Sequence, residues 1–369
     1  MNTGYKTSTG IDIGTLFESG TSATPTGYLL SGGGGDLSTI FASGTSTIKT
    51  GYLLNSGQDI GTLFSAIAVP LTSVTTWTNV TSSITMSWGV ISRDNCIACN
   101  SNGKYVLCAA NLNTPKTLYL TSNGGTNWSR IDNAGIGLTT SINYYSMAIS
   151  DTGQYMYVTD VSGRILKSTN YGVSWSVGHV ADTGTTVVSC DGTGQYVLSN
   201  GTASSNGMWY SSNYGSTWNS QSGYTNVLAV HISNNASYWV IGQNNGYVYI
   251  STNYGVSWTL IYSTPTLTTE TVKATNNGVV YRTPTTSANV YKYSGGSWTT
   301  LSLAGGYGYC SINKDAAIIY IGSNPTSSAS VDSGSSFSSQ PISNCGSCVS
   351  SSGNCIYNVS TTNIFKCIG

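Results

Sequence analysis

The side chains best equipped for chemistry in this 369-residue chain are nine cysteines, two histidines and a small set of carboxylates. Cys96-Ile97-Ala98-Cys99 and Cys345-Gly346-Ser347-Cys348 form two C-x-x-C pairs. Brought together, such pairs have the ligand count of a structural zinc site. The same thiols could instead pair as disulfides or fill a core as small apolar groups. Both pairs run along strand-like stretches, where residues three apart face opposite sides. That argues against a metal knuckle, so Cys96, Cys99, Cys345 and Cys348 stay as candidate ligands and no cofactor is expected. Cys99, Cys190 and Cys348 each precede a tight-turn glycine by four or five residues, which predicts equivalent places on inner strands. Cys108, Cys310, Cys355 and Cys367 complete the set, and the odd total leaves at least one thiol without an intrachain partner.

The other candidates are weaker. His179 and His231 lack the paired spacing of a metal site, so a core or loop role is expected. Asp94, Asp132, Asp151, Asp160, Asp182, Asp191 and Asp315 fall mostly in turn phrases, and Glu270 is the only glutamate after residue 70. Turn aspartates cap backbone N–H groups, whereas acid–base hydrolysis needs positioned carboxylate pairs.

The elements that must position these residues come from repetition. Ser122-Asn123-Gly124-Gly125-Thr126-Asn127-Trp128 recurs as Ser168-Thr169-Asn170-Tyr171-Gly172-Val173-Ser174-Trp175. It returns as Ser211-Ser212-Asn213-Tyr214-Gly215-Ser216-Thr217-Trp218 and Ser251-Thr252-Asn253-Tyr254-Gly255-Val256-Ser257-Trp258. Worn copies end at Trp298 and at Asp332-Ser333-Gly334-Ser335-Ser336-Phe337. A period of about forty residues marks a repeat architecture. The Asn or Asp binds turn N–H groups, Gly supplies positive φ, and the aromatic plugs the sheet end.

A second turn phrase precedes each corner: Ser101-Asn102-Gly103, Asp151-Thr152-Gly153, Gly192-Thr193-Gly194, Asn234-Asn235-Ala236, Asn276-Asn277-Gly278, Asn313-Lys314-Asp315 and Ser351-Ser352-Gly353. Two hairpins per period make a four-stranded propeller blade. Seven tight turns meet only six corners after residue 120, and Val74-Thr75-Thr76-Trp77-Thr78-Asn79-Val80 has the shape of the missing one. The reading is an all-β fold: a seven-bladed β-propeller over residues 71–369, preceded by an N-terminal β-repeat arm over residues 1–70. The strand around Trp77 completes the blade built from Cys345 to Cys367, so the two ends share a blade and leave no loose edge.

The corner resembles the Asp-box, or bacterial-neuraminidase repeat, of sialidase-like and sortilin-like propellers. The resemblance rests on Asn123, Trp128, Asn170, Trp175, Asn213, Trp218, Asn253, Trp258, Trp298, Asp332 and Phe337, with Asn standing where that pattern has Asp at 123, 170, 213 and 253 and Asp itself only at 332. It implies the fold and invites sialidase chemistry, which uses three arginines, a tyrosine nucleophile with a glutamate partner, and an aspartate acid. This chain has only Arg93, Arg130, Arg164 and Arg282, and no Arg-Ile-Pro motif. No enzyme is expected; a glycosidase is the third-ranked function.

The first seventy residues repeat differently. Thr-Gly-Tyr followed by Asp-Ile/Leu-x-Thr-Leu/Ile-Phe occurs three times, at about 23 residues per unit. Units this small cannot bury much apolar surface alone. Leu16, Phe17, Leu30, Ile40, Phe41, Leu53 and Phe64 are therefore the candidate assembly residues, to be covered by neighbouring copies or by the chain's own propeller. The unit also resembles repeats in structural proteins of large DNA viruses and phages.

Only 7% of residues are charged and the formal net charge is zero. Such a surface lacks the repulsion that keeps proteins apart, and no basic patch favours nucleic acid. No apolar run reaches the length of a membrane span, and Met1–Lys6 lacks the apolar core of a secretory signal. Tyr144, Tyr145, Tyr224, Tyr307 and Tyr309, in loops entering inner strands, are the candidate ligand-binding residues, since tyrosine suits glycan stacking. The expected function is a non-enzymatic structural protein that self-assembles through its arm into a fibre, coat or virion surface. The alternative is a glycan- or receptor-binding module at a virion or extracellular surface.

Overall fold

The computed structural model describes residues 71–81, 96–110, 117–131, 144–160, 162–180, 187–200, 207–263, 268–284, 289–301, 308–323, 327–342, 346–360 and 363–368, with four short strands before residue 55. The chain divides into residues 1–68 and 69–369. No helix occurs among the described residues, and none is long and apolar enough to cross a membrane.

In the first unit, Phe17–Ser19 pairs with Tyr28–Leu30, and Phe41–Ser43 with Tyr52–Leu54. The registers match, Phe17 opposite Leu30 and Phe41 opposite Leu54. Leu53 lies on the last of these strands, while Leu16, Ile40 and Phe64 fall outside the described residues.

The second unit is a seven-bladed propeller of four-stranded antiparallel sheets. Blade 1 runs Ile97–Cys99, Val106–Ala110, Thr117–Thr121 and Ser129–Ile131. Blades 2 to 6 follow in order, with inner strands Tyr144–Ile149, Val188–Cys190, Val227–Ile232, Thr269–Ala274 and Gly308–Ile312. Blade 7 takes Gly346–Val349, Cys355–Val359 and Ile364–Ile368 from one end of the chain and Thr78–Asn79 from the other. Asn79 lies opposite Phe365, and Thr78 opposite Lys366. Hydrogen bonds from Val80 N to Ile364 O (2.9 Å) and from Ile364 N to Thr81 Oγ1 (3.0 Å) extend this clasp.

Burial explains the layering. Second strands such as Met156–Asp160, Trp239–Gln243 and Cys355–Val359 are buried at every position. Outer strands such as Ser129–Ile131 are mostly exposed. A blade has two faces to cover, and only its neighbours can cover them. The core therefore sits between blades: Leu198 and Met208 of blade 3 pack with Val230, Trp239 and Ile241 of blade 4.

The Asn corners share one construction. In blade 2, Gly172 N donates to Ser168 Oγ (2.9 Å), Ser174 N to Asn170 Oδ1 (2.9 Å), and Trp175 Nε1 to Gly172 O (3.1 Å). Blades 3 and 4 repeat it around Ser211–Asn213–Gly215 and Ser251–Asn253–Gly255. The leading serine is the buried hub. In blades 1, 5 and 7 the tryptophan instead reaches the preceding blade: Trp128 Nε1 donates to Val80 O, Trp298 Nε1 to Ile261 O and Trp77 Nε1 to Gln340 Oε1. Blade 5 departs further, because Gly295 and Gly296 make a two-residue hairpin turn at positive φ, with Ser294 paired to Ser297.

Asp332 gives blade 6 a corner with a charge. It accepts from Ser336 N (2.9 Å), Ser336 Oγ (2.6 Å) and Ser330 Oγ (2.7 Å). These bonds, the Ser330 hydroxyl first, hold its carboxyl down at about 2. An unfolded aspartate titrates near about 3.9. The corner's contribution is therefore complete above about pH 4 and is lost as the pH falls through about 2. The Ser336 amide resonance is expected to titrate with a midpoint near 2 while Ser174 and Ser257, held by asparagines, stay unmoved; a Ser336 midpoint near 4 would show the bonds absent.

Candidate functional site: the axial channel and the tight-turn face

In a four-stranded antiparallel blade the first and third turns lie on the same side of the sheet. All tight turns and all corners therefore share one propeller face, and the loops between second and third strands lie on the other. Each tight turn is capped by a polar side chain that ends the inner strand. Asn100, Ser150, Asp191, Ser233, Thr275, Asn313 and Ser350 accept from a backbone N–H beyond the turn at 2.8–3.2 Å.

The next residues link blade to blade around the axis. Ser101 N donates to Asp151 O, Asp151 N to Gly192 O, and Gly192 N to Asn234 O. Asn235 N donates to Asn276 Oδ1. Asn276 N then donates to Lys314 O, Lys314 N to Ser351 O, and Ser352 N returns to Ser101 O. This belt of hydrogen bonds encircles the channel mouth.

Asp151 bolts the mouth. Its carboxylate accepts from Ser351 Oγ of blade 7 (2.6 Å) and from Asn234 Nδ2 of blade 4 (2.9 Å), two blades that do not adjoin its own. Gly192 lies beneath, where a Cβ would stand 2.6 Å from both Asn234 Nδ2 and Asp151 Oδ2. A side chain there would displace the bolt. Burial raises the Asp151 carboxyl above its ordinary value, against the opposing effect of the Ser351 and Asn234 bonds.

The channel holds two chambers of about 130 Å³ each, one lined by the bolt residues Asp151, Asn234 and Ser351 and the other by inner-strand residues including Cys99, Cys190, His231, Lys273, Ser347 and Cys348. His231 Nδ1 accepts from Ala274 N (3.0 Å), and burial, with Lys273 close by, holds the imidazole neutral well below its usual range. His179 is wedged between Trp209 and Trp218, ring centroids 4.4 and 5.3 Å away.

The thiols part company. Cys96 lies in the seam between blades 7 and 1 with Cys108 and Cys355, whereas Cys99 lines the channel; Cys345 is outside the described residues. No group of three or more metal-ligating side chains forms among the described residues. Cys99 and Cys190 do occupy equivalent positions, opposite Val106 and Val197. Cys348 does not. It lies opposite Tyr357, and Val349, opposite Ile356, holds the place equivalent to Cys99. Cys348 is one residue out of step and faces the other side of its strand.

The carboxylates are occupied by turns. Asp191 accepts from Tyr196 N and Thr193 N, and Asp160 from Ser162 N and Arg164 Nε. Asp315 pairs with Lys314; Asp94, Asp132 and Asp182 lie outside the described residues. Arg164, Arg282 and Arg130 stand on blades 2, 5 and 1, and none lines the channel chambers. Arg282 is fully buried, donating to Thr269 Oγ1 (2.8 Å) with its guanidinium 4.2 Å from the Tyr262 ring.

The candidate ligand-binding tyrosines differ in exposure and surroundings. Tyr144 is completely buried with Leu107, Leu118 and Met147, and burial pushes its hydroxyl up to about 12. Tyr224 packs edge-on against Tyr249, Tyr145 and Tyr309 are half-buried on blades 2 and 6, and Tyr307 is outside the described residues. Aromatic order appears instead on the tight-turn face. Tyr155 stacks on Tyr214 (4.5 Å) and Tyr196 on Tyr254 (4.9 Å), and Tyr105 meets Tyr171 at a tilt (5.4 Å). Each pair joins one blade's tight turn to the next blade's corner. Tyr171, Tyr214 and Tyr254 hold φ of 58–62°, a conformation costly for a bulky residue that ring contact helps offset. Tyr171 and Tyr254 stay exposed, beside the exposed tips Val173 and Val256. The signal was present in the sequence as Asn-Tyr-Gly at the corners of blades 2 to 4 and Gly-x-Tyr at the tight turns of blades 1 to 3, but nothing local says that the two meet.

No known protein family and no curated protein matches the chain in sequence. Solved structures share its fold at 12% identity. YCF48 bound to a D1 peptide superposes with a TM-score of 0.61, covering 82% of this chain and 99% of that one. A chain from the crystal structure of the mitotic checkpoint complex gives 0.59, over 82% and 94%. YCF48 from Cyanidioschyzon merolae gives 0.57, over 79% and 98%. At such identity the likeness speaks for the seven-bladed scaffold, which hosts many activities.

Proposed function

We propose that the chain is a non-catalytic recognition and assembly protein. Its propeller binds a protein segment on the tight-turn face, and its N-terminal repeats join copies into a fibre, coat or virion surface. The observation that carries the reading is the use of polar groups. Asp151, Asp160, Asp191 and Asp332 spend their oxygens on belt, turn and corner bonds, leaving a bolted axis and a face of paired tyrosines. Aromatic rings with few charges suit protein recognition. The peptide held by YCF48, a propeller of the same fold, supports a protein ligand over a glycan.

The assembly half rests on the arm. Its described ribbons are two strands of three residues each, and two-stranded ribbons are marginal without further packing. Neighbouring copies supply that by strand addition. The Asp-box kinship of the corners and the virus-type kinship of the arm belong to the same proposal.

Electron micrographs of the full chain and of residues 69–369 test it. Regular assemblies from the full chain and single rings from the shorter one are expected; indistinguishable fields would remove the arm's role. A peptide array probed with residues 69–369 tests the other half, with binding reduced at least tenfold by Tyr171→Ala and Tyr254→Ala together. Binding untouched by that pair would move the site off this face.

A further inference from the structure

Ring closure sets two thiols face to face at the seam between the first and last blades. Cys99 ends the inner strand Ile97–Cys99 of blade 1, and Cys348 lies within Gly346–Val349 of blade 7. Those strands are neighbours around the axis. Because Cys348 is one residue out of step, its side chain leaves its strand on the side opposite to that of Cys99. On adjacent blades, opposite sides are the ones that meet. Both thiols pack on the cluster formed by Cys96, Cys108, Cys355 and Tyr357, both line the same axial chamber, and the Cys99 and Cys348 side chains are hydrogen-bonded to each other. Cys108, Cys355 and Cys367 are buried, whereas Cys99, Cys190 and Cys348 keep partial exposure and line the same chamber, so a small oxidant can reach them along the channel; Cys190 stands on blade 3, away from the seam.

We propose that Cys99 and Cys348 form a disulfide that closes the propeller ring covalently when a peroxide is present. The Cys348 thiol, as thiolate, attacks one peroxide oxygen; the O–O bond breaks, a sulfenic acid forms and one water leaves. The Cys99 sulfur then attacks the sulfenic sulfur, the S–O bond breaks, the S–S bond forms and a second water leaves. Two thiols are oxidised and one peroxide is reduced to two waters. Cys348 goes first because the Cys99 hydrogen bond favours its thiolate. The bond to Cys348, and then burial, hold the Cys99 thiol well above its ordinary range, and burial raises that of Cys348, so closure is slow at neutral pH and quickens as the pH rises.

The consequence is mechanical. The reduced ring is closed by the two-residue strand Thr78–Asn79 and its flanking bonds. A link between residues 99 and 348 encloses nearly the whole circuit of blades, and that clasp is then no longer required to keep the ring shut.

The test uses the full-length protein, reduced, freed of reductant, and exposed to hydrogen peroxide at pH 7 and pH 8. Thiol titration in denaturant and chymotryptic mass mapping without reductant are the readouts. Two of the nine thiols are expected to disappear, the mapped link to join Cys99 to Cys348 within one chain, and dithiothreitol to restore both. The rate should rise about tenfold over that pH unit, as thiolate fraction does below a thiol's pKa. Cys99→Ser and Cys348→Ser should each abolish the link. Asn79→Ala with Thr81→Ala should lower the melting temperature of the reduced protein more than that of the oxidised one. Nine thiols surviving peroxide, a link between another pair, or a link only between molecules would each overturn the proposal, and the wild-type map decides it even if a variant fails to fold.

Discussion

A chain beginning at residue 82 will not form a stable ring, whereas one beginning at residue 69 will. The thirteen residues between those starts do more than add a strand. Leu71 and Val74 are 3% and 5% exposed and pack with Ile318, Tyr320, Ile356 and Cys367. Trp77 lies edge-on to Tyr320 at 5.7 Å and donates to Gln340 of blade 6, and Leu71 N donates to Gly353 O at 2.7 Å. Losing a buried leucine costs about 2–5 kcal/mol and a large aromatic about 3–5. With the valine and the Thr78–Asn79 pairing added, the loss reaches the whole stability of an ordinary domain, about 5–15 kcal/mol. The deletion also bares the edge of Ile364–Ile368, whose Ile368 is already exposed, a site for aggregation. Urea unfolding and size-exclusion chromatography of residues 69–369 and 82–369 read the difference. A cooperative transition of the shorter chain within about 2 kcal/mol of the longer one would show that the clasp does not close the ring.

Trp239→Ala is expected to destabilise the propeller by about 3–5 kcal/mol. Trp239 is among the largest fully buried side chains, on the second strand of blade 4. It meets Tyr196 of blade 3 edge-on at 5.8 Å and Tyr210 at 6.1 Å, and its Nε1 donates to Ala236 O (3.1 Å). Gly255 of the corner sits against its ring, where a Cβ would stand 3.0 Å away. One side chain thus joins the cores of two blades, a tight turn and a corner. Val256→Ala, one residue beyond that glycine and 75% exposed, should stay within about 0.5 kcal/mol of wild type. Chemical unfolding of both variants checks the pair, and equal effects would mean that blade 4 has no such centre.

Both expectations rest on contacts between blades, and there the sequence was least legible. The forty-residue rhythm, the tight turns, the count of seven and the sharing of blade 7 could all be read in advance, because turn chemistry is carried by contiguous residues and a ring needs a closing strand. The Ser294–Ser297 turn could not be told from a worn Asn corner, since a Gly-Gly hairpin and a capped corner both place a glycine before an aromatic. The register of Cys348 was also misplaced, by one residue.

What the sequence by itself determined is therefore the repeating unit, from Asn-x-Gly and Gly-x-Tyr phrases whose hydrogen bonds close within a few residues. Tertiary structure alone decided what those units do to one another: Asp151 reaching Asn234 and Ser351 across the axis, the paired tyrosines of successive blades, and the meeting of Cys99 with Cys348. In a strand each one-residue step turns a side chain to the opposite face, and closure of the ring then sets which faces meet.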